Sequence, residues 1–167
     1  GLHGVEGFLG SAVQLAVLEN WAEWKHVFEG RFLLLHALNP FGFAHLRRFD
    51  AENIDPNRNF LLREEAFQGA HPMYAQLNKL LNPTTPPNRW DFFLLRALGL
   101  IFRHGITELK QAIATGQYEF PKGLFFGGKG PSETQRQLRE VLSHYLQPSD
   151  NVVHLDFHTG LGPWGEV

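Results

Sequence analysis

Apolar positions change rhythm several times along the chain. From Ser11 to Phe28, the residues Val13, Ala16, Val17, Trp21, Trp24 and Phe28 recur at helical spacing, and Gly30 is placed to stop the helix. Arg31 to Leu38 then runs apolar without alternation up to Asn39-Pro40, the pattern of a strand buried on both faces. A polar connection rich in Asn and Arg follows from about Phe41 to Phe60, long enough to be a functional loop. His71 to Leu81 reads as a helix opened by Pro72 and closed by Asn82-Pro83, and Thr84-Thr85-Pro86-Pro87 as a rigid link. Asn88 caps a longer helix from about Arg89 to Thr115, with a break expected near Gly105. Gly116 to Gly130 is a loop rich in glycine and aromatics. Ser132 and Gln135 have the spacing of a capping box, opening a helix to about Leu146 that Pro148-Ser149-Asp150 ends. Asn151 to Phe157 reads as a second buried strand, with His158 at its C-terminal end. Helices alternating with buried strands predict an α/β fold, a mixed, mostly parallel sheet flanked by helices. Such sheets carry their sites at the carboxyl ends of strands.

Composition narrows the function classes. The 167 residues are 43% hydrophobic and 19% charged, enough for one domain with a sizeable core. A net charge of −2 offers no basic footprint for nucleic acid and no polybasic surface for membranes, so neither is an expected partner. No apolar stretch reaches transmembrane length, and no signal peptide is visible. The absence of cysteine excludes disulfides, thiolate zinc sites and a cysteine nucleophile, and suits a cytoplasmic location. Nine histidines are many for this length and raise the expectation of a metal site. The chain opens inside a motif and without an initiator Met, so it reads as an internal piece of a longer protein.

Four segments carry candidate chemistry. His3 and Glu6 stand three residues apart, followed by Gly4 and Gly7 respectively, a spacing that lets both face one ion from a tight turn. An isolated pair of this kind is as readily a surface or capping pair. On the run from Val153 to Phe157, His154, Asp156 and His158 share one face opposite Val153, Leu155 and Phe157. His158 is the preferred ligand because a strand terminus is open to substrate, with His154 as the competitor. A core histidine bonded to a backbone carbonyl is the plainer alternative. Two His and one Glu make the three-ligand set that leaves a fourth zinc position free. In Asp55-Pro56-Asn57-Arg58-Asn59, Arg58 presents a fork that matches a carboxylate, Asn57 has an amide for the same group, and Asp55 suits the second nitrogen of a metal-bound His. Arg47 or Arg48 is suited to stabilise an oxyanion. Each of these segments alone is equally a solvated polar loop. Phe125 to Gly130 lacks the full phosphate-loop pattern, so no nucleotide site is read there.

Taken in order, His3-x-x-Glu6, Asn39-Pro40-x-Gly42, Arg47 or Arg48, Asp55-x-Asn57-Arg58-Asn59-Phe60 and His158 resemble the framework of the zinc carboxypeptidase superfamily. The strings Gly4-Val5-Glu6-Gly7-Phe8, Gly116-Gln117-Tyr118, Pro121-x-Gly123-Leu124-Phe125-Phe126-Gly127-Gly128 and His158-Thr159-Gly160-Leu161-Gly162 resemble an uncharacterised bacterial branch of it, related to the aspartoacylase and succinylglutamate desuccinylase group. The resemblance spans nearly the whole chain. It implies that residues 1–167 form a single, incomplete catalytic domain. It further implies that His3, Glu6 and His158 bind Zn2+, that Asp55 partners His3, and that Asn57 and Arg58 hold the substrate's carboxylate. Arg47 would polarise the carbonyl, with Arg48 as the substitute. Pro56 departs from the small or aliphatic residue usual there. The family's general-base Glu is expected beyond Val167, and Glu166 is too close to His158 to replace it, so the fragment itself is expected to be inactive.

The function this implies is zinc-dependent hydrolysis of a peptide or amide bond next to a free carboxylate. An N-acyl amino acid amidohydrolase shares the same residues. A zinc- or carboxylate-binding module without catalysis is the third expectation.

Overall fold

The computed structural model describes residues 1–27, 29–86 and 88–159. Phe28 at the expected end of the first helix, Pro87 of the link, the Gly160-Leu161-Gly162 turn and Glu166 lie outside the described residues. Two compact units can be distinguished. One contains residues 1–50 and the described residues from 137 on; the other contains residues 51–136.

In the first unit a 3-10 turn at Gly4–Glu6 leads into α1 (Gly7–Glu19) and the short α2 (Trp21–Trp24). Helix therefore begins four residues before Ser11 and breaks at Asn20, whose side-chain amide donates to the Ala16 carbonyl at 2.8 Å. The next helix, α3 (Pro40–His45), falls in the expected polar connection. Asn39 caps it by accepting from the Gly42 N–H at 2.9 Å, and Pro40 occupies the first turn, where a missing N–H costs nothing. Gly42 then receives the turn at Gly4. A Cβ on Gly4 would overlap the Gly42 backbone, and the Gly4 N–H donates to the Arg47 carbonyl at 3.1 Å. Phe8 stacks on Phe43 with ring centroids 4.7 Å apart, which ties α1 to α3.

The second unit begins with α4 (Pro56–Asn59), followed by α5 (Tyr74–Leu81), α6 (Phe93–His104) and α7 (Ile106–Ala114). Leu77 of α5 and Leu109 and Ala112 of α7 form its apolar core, with Met73, Leu81, Leu100 and Ile113 packed around them. Gly105 separates α6 from α7 at φ +79°, a value that side chains disfavour, so the expected break falls at this glycine. The start differs. Asn88 caps a preceding turn by accepting from the Trp90 N–H at 2.9 Å, and α6 begins only at Phe93. The last helix, α8 (Glu133–Tyr145), starts at Ser132, whose hydroxyl accepts from the Gln135 N–H at 3.3 Å. The reciprocal half of the capping box is not made, because Gln135 Oε1 is buried without a partner.

Among the described residues the expected mixed, mostly parallel sheet is not present. Among the described residues the only β pairing is two isolated bridges, Ala70 with Gln117 and Gln117 with Phe126. Arg31 to Leu38 and Asn151 to Phe157 carry no strand. Their apolar runs record hydrophobicity, not burial on two faces. Val153 is 87% exposed and Leu155 is 69% exposed, whereas a central parallel strand is covered on both sides. The α/β fold that the alternation of helices and apolar runs predicted is corrected accordingly.

Two glycine substitutions should move stability in opposite directions. Gly99 sits inside α6 with nothing within 4 Å of an added Cβ, so Gly99→Ala should stabilise by about 1 kcal/mol. Gly4→Ala must push the Gly42 backbone aside and should cost about 1–3 kcal/mol. Urea or thermal unfolding measures both; a neutral Gly4→Ala would contradict the close packing of the two turns.

Candidate metal centre

The 3-10 turn puts His3 and Glu6 on one side of the chain. The Glu6 N–H donates to the His3 carbonyl at 3.0 Å, closing the turn, and the Gly4–Gly42 contact fixes where it lies. His3 Nδ1 stands 3.0 Å from Glu6 Oε1. From the other end of the sequence, His158 Nδ1 stands 3.0 Å from Glu6 Oε2. The ligand atoms of the three residues all lie within 4.8 Å of one another. Ligands of one tetrahedral zinc sit about 3.3 Å apart, given bonds of about 2.0–2.1 Å. The spacing and the nitrogen and oxygen donors therefore fit a zinc ion with small adjustments. Side-chain exposure rises from 2% at His3 to 13% at Glu6 and 40% at His158, so the cluster opens to solvent at His158. His154 is not part of it.

Two further groups hold the cluster. The Thr159 N–H donates to Glu6 Oε2 at 3.0 Å. Asp156 Oδ2 lies 2.8 Å from His158 Nε2, the ring nitrogen turned away from Glu6. The charges follow these contacts. Burial acts to raise the Glu6 pKa, but hydrogen bonds from His3, the Thr159 amide and His158 outweigh it and hold the carboxyl below its ordinary value of 4.5. Burial acts to lower the His158 pKa, but the bond and charge of Asp156, followed by those of Glu6, raise it above 6.5.

Arg47 and Arg48 follow α3. The contribution of Arg47 to this region is its main chain, which accepts from Gly4 and donates to the Gly42 carbonyl at 2.8 Å. Its side chain is exposed, and that of Arg48 is half-buried.

Asp55, Asn57 and Arg58 belong to the second unit. Asp55 is buried and caps α4 by accepting from the Asn57 N–H at 3.0 Å. Pro56, the departure from the family pattern, occupies the first helical position, where it is well tolerated. Arg58 Nε donates to the Ala114 carbonyl at 3.1 Å, and the Tyr118 hydroxyl donates to the Arg58 carbonyl at 2.9 Å. The stem of Arg58 crosses Gly116, where a Cβ would come within 2.7 Å of it. Among the described residues, the hydrogen bond of this guanidinium is made by Nε.

Sequence reasoning gave no role to Asn59. It is fully buried, donates to the Gly127 and Gly130 carbonyls at 2.8 and 2.9 Å, and accepts from the Ser132 N–H at 2.8 Å. The glycine-rich loop is thus wrapped around one side-chain amide. The signal available in the sequence was Asn59 itself, adjoining a polar motif and matched by small residues at Gly127 and Gly128.

The charge shifts make the Glu6–His158 contact dependent on pH. The depressed Glu6 contributes stability above 4.5 and loses it as pH falls through its lowered value. The raised His158 contributes fully below 6.5 and loses it as pH rises through its raised value. The contact in metal-free protein should be firmest between those limits. An NMR titration of the His158 ring should show a midpoint above 6.5, falling in Glu6→Gln. A midpoint at or below 6.5 in the unmodified protein would remove the ion pair from the account.

No curated protein and no solved structure matches the chain. A sequence family matches it across residues 1–167, and the chain belongs to that family, whose description is Protein of unknown function (DUF2817).

Proposed function

We propose that this chain carries the zinc centre of a hydrolase that cleaves a peptide or amide bond next to a free carboxylate. The observation that carries the reading is the convergence of His3, Glu6 and His158 from the two ends of the sequence. Two neutral imidazoles and one carboxylate leave a bound divalent ion with net positive charge, and three protein ligands leave a position open. The chemistry such an ion supplies is Lewis acidity at a carbonyl and activation of water. The chain's own residues do the rest. His3, buried at the base, and Glu6, held by the Thr159 amide, fix the geometry, while the more exposed His158 stands on the solvent side. Arg47 or Arg48 stabilises the developing oxyanion. The resemblance of their motif assigns Asn57 and Arg58 to the substrate's carboxylate and Asp55 to the support of a ligating imidazole. The sequence motifs that resemble zinc carboxypeptidases support these roles.

Metal analysis is the first test. The purified protein should hold one zinc, and His3→Ala, Glu6→Ala and His158→Ala should each reduce zinc to background while the helical circular dichroism signal persists. Full zinc content in the His158 variant would remove that ligand and the reading with it. Assays of the full-length protein on C-terminal peptides and on N-acyl amino acids then assign the substrate class, and zinc binding without turnover of either would indicate a binding module.

Arg58→Ala separates recognition from structure. Loss of a desolvated, charge-assisted contact costs on the order of 2–5 kcal/mol, so carboxylate-bearing substrates should suffer far more than their amidated forms. Equal losses on both would make Arg58 a support for the Ala114–Gly116 segment only.

A further inference from the structure

Asp156 lies two residues before His158 in a segment that forms neither helix nor strand, and the two side chains meet. The result is a direct contact of 2.8 Å between Asp156 Oδ2 and His158 Nε2. Nδ1 of the same ring points the other way, 3.0 Å from Glu6 Oε2. An imidazole binds metal through one nitrogen only when the proton sits on the other, and a carboxylate at that second nitrogen sets both the tautomer and the ring angle. His158 needs such a group more than His3 does. Its ring is 40% exposed and belongs to no helix, so packing alone holds it poorly, whereas His3 is buried.

We propose that Asp156 is a positioning residue of the metal centre: it accepts a hydrogen bond from His158 Nε2–H and thereby presents Nδ1 to the ion. The inference rests on the zinc reading above and adds to it a residue outside the ligand set. One short stretch then supplies three functions. His158 is the ligand, Asp156 orients it, and the Thr159 N–H orients Glu6 at 3.0 Å. Asp156 is itself 43% exposed, so its replacement has little packing to disturb.

The experiment is a zinc-affinity measurement by chelator competition on the unmodified protein and on Asp156→Asn, Asp156→Ala, Asp156→Glu and His158→Ala. It is paired with 15N NMR of the histidine rings. Asp156→Asn and Asp156→Ala should weaken zinc by about 10–100-fold, the range for loss of such a partner, with the helical circular dichroism signal unchanged. Asp156→Glu should restore part of the affinity. In the unmodified zinc form the His158 Nε2–H should exchange slowly, and in Asp156→Ala it should exchange fast. Unchanged affinity in Asp156→Ala, while His158→Ala loses zinc, would overturn the positioning role and leave the ligand set standing. A loss in Asp156→Asn as deep as in His158→Ala would make Asp156 a ligand instead, and would also overturn it. If the unmodified protein binds no zinc, or His158→Ala binds it equally well, the zinc reading fails and this inference fails with it.

Discussion

The Glu6 carboxylate is the point on which the site depends. One oxygen faces His3, three residues away, and the other faces His158 and the Thr159 amide, 152 and 153 residues away. A carboxylate with several donors around it resists protonation, which is why Glu6 stays ionised despite partial burial. The same carboxylate is what draws the exposed 156–159 segment back to the start of the chain. His158 meets Glu6 through this polar contact and His3 ring to ring, with centroids 6.0 Å apart. The grouping of histidines, acid and amide is therefore an electrostatic construction on a short, tightly packed turn.

That turn relies on a backbone contact that only glycine permits. Gly4 lies directly on Gly42, and Asn39 holds Gly42 from beneath by capping α3. The second unit uses the same device. Arg58 crosses Gly116, and Gly127 and Gly130 present carbonyls to the amide of Asn59. Buried amides and glycines take the place that sheet ladders would hold in an α/β protein. Each buried amide that is lost strands backbone groups, at about 1–3 kcal/mol for each one left unsatisfied.

What could be read from sequence divides along physical lines. Helices whose ends are marked by chemistry were legible. Gly105 separates α6 from α7 because its φ is positive, and Ser132 opens α8 because its hydroxyl meets the Gln135 amide. The two apolar runs misled, since a continuous run states how hydrophobic a segment is and leaves its partners unspecified. Phe32 and Val153 are exposed where a sheet was expected. In the site, His3 and Glu6 followed from spacing, and His158 from its place after the second run. The alternation that favoured His158 was read for a strand, but it applies to any extended segment, so the residue survives the loss of the sheet. Asp156 was visible on the same face, yet only its distance from Nε2 separates an orienting carboxylate from a neighbour. Asn59 was hidden because its partners are main-chain groups, the Gly127 and Gly130 carbonyls and the Ser132 N–H, which sequence does not display.

The central claim is that one ion is bound by His3, Glu6 and His158 together. X-ray absorption at the zinc edge of the zinc-loaded protein tests it most directly. The account predicts a first shell of nitrogen and oxygen at about 2.0–2.1 Å with the outer-shell scattering of two imidazole rings. A shell of oxygen alone, without imidazole scattering, would contradict it.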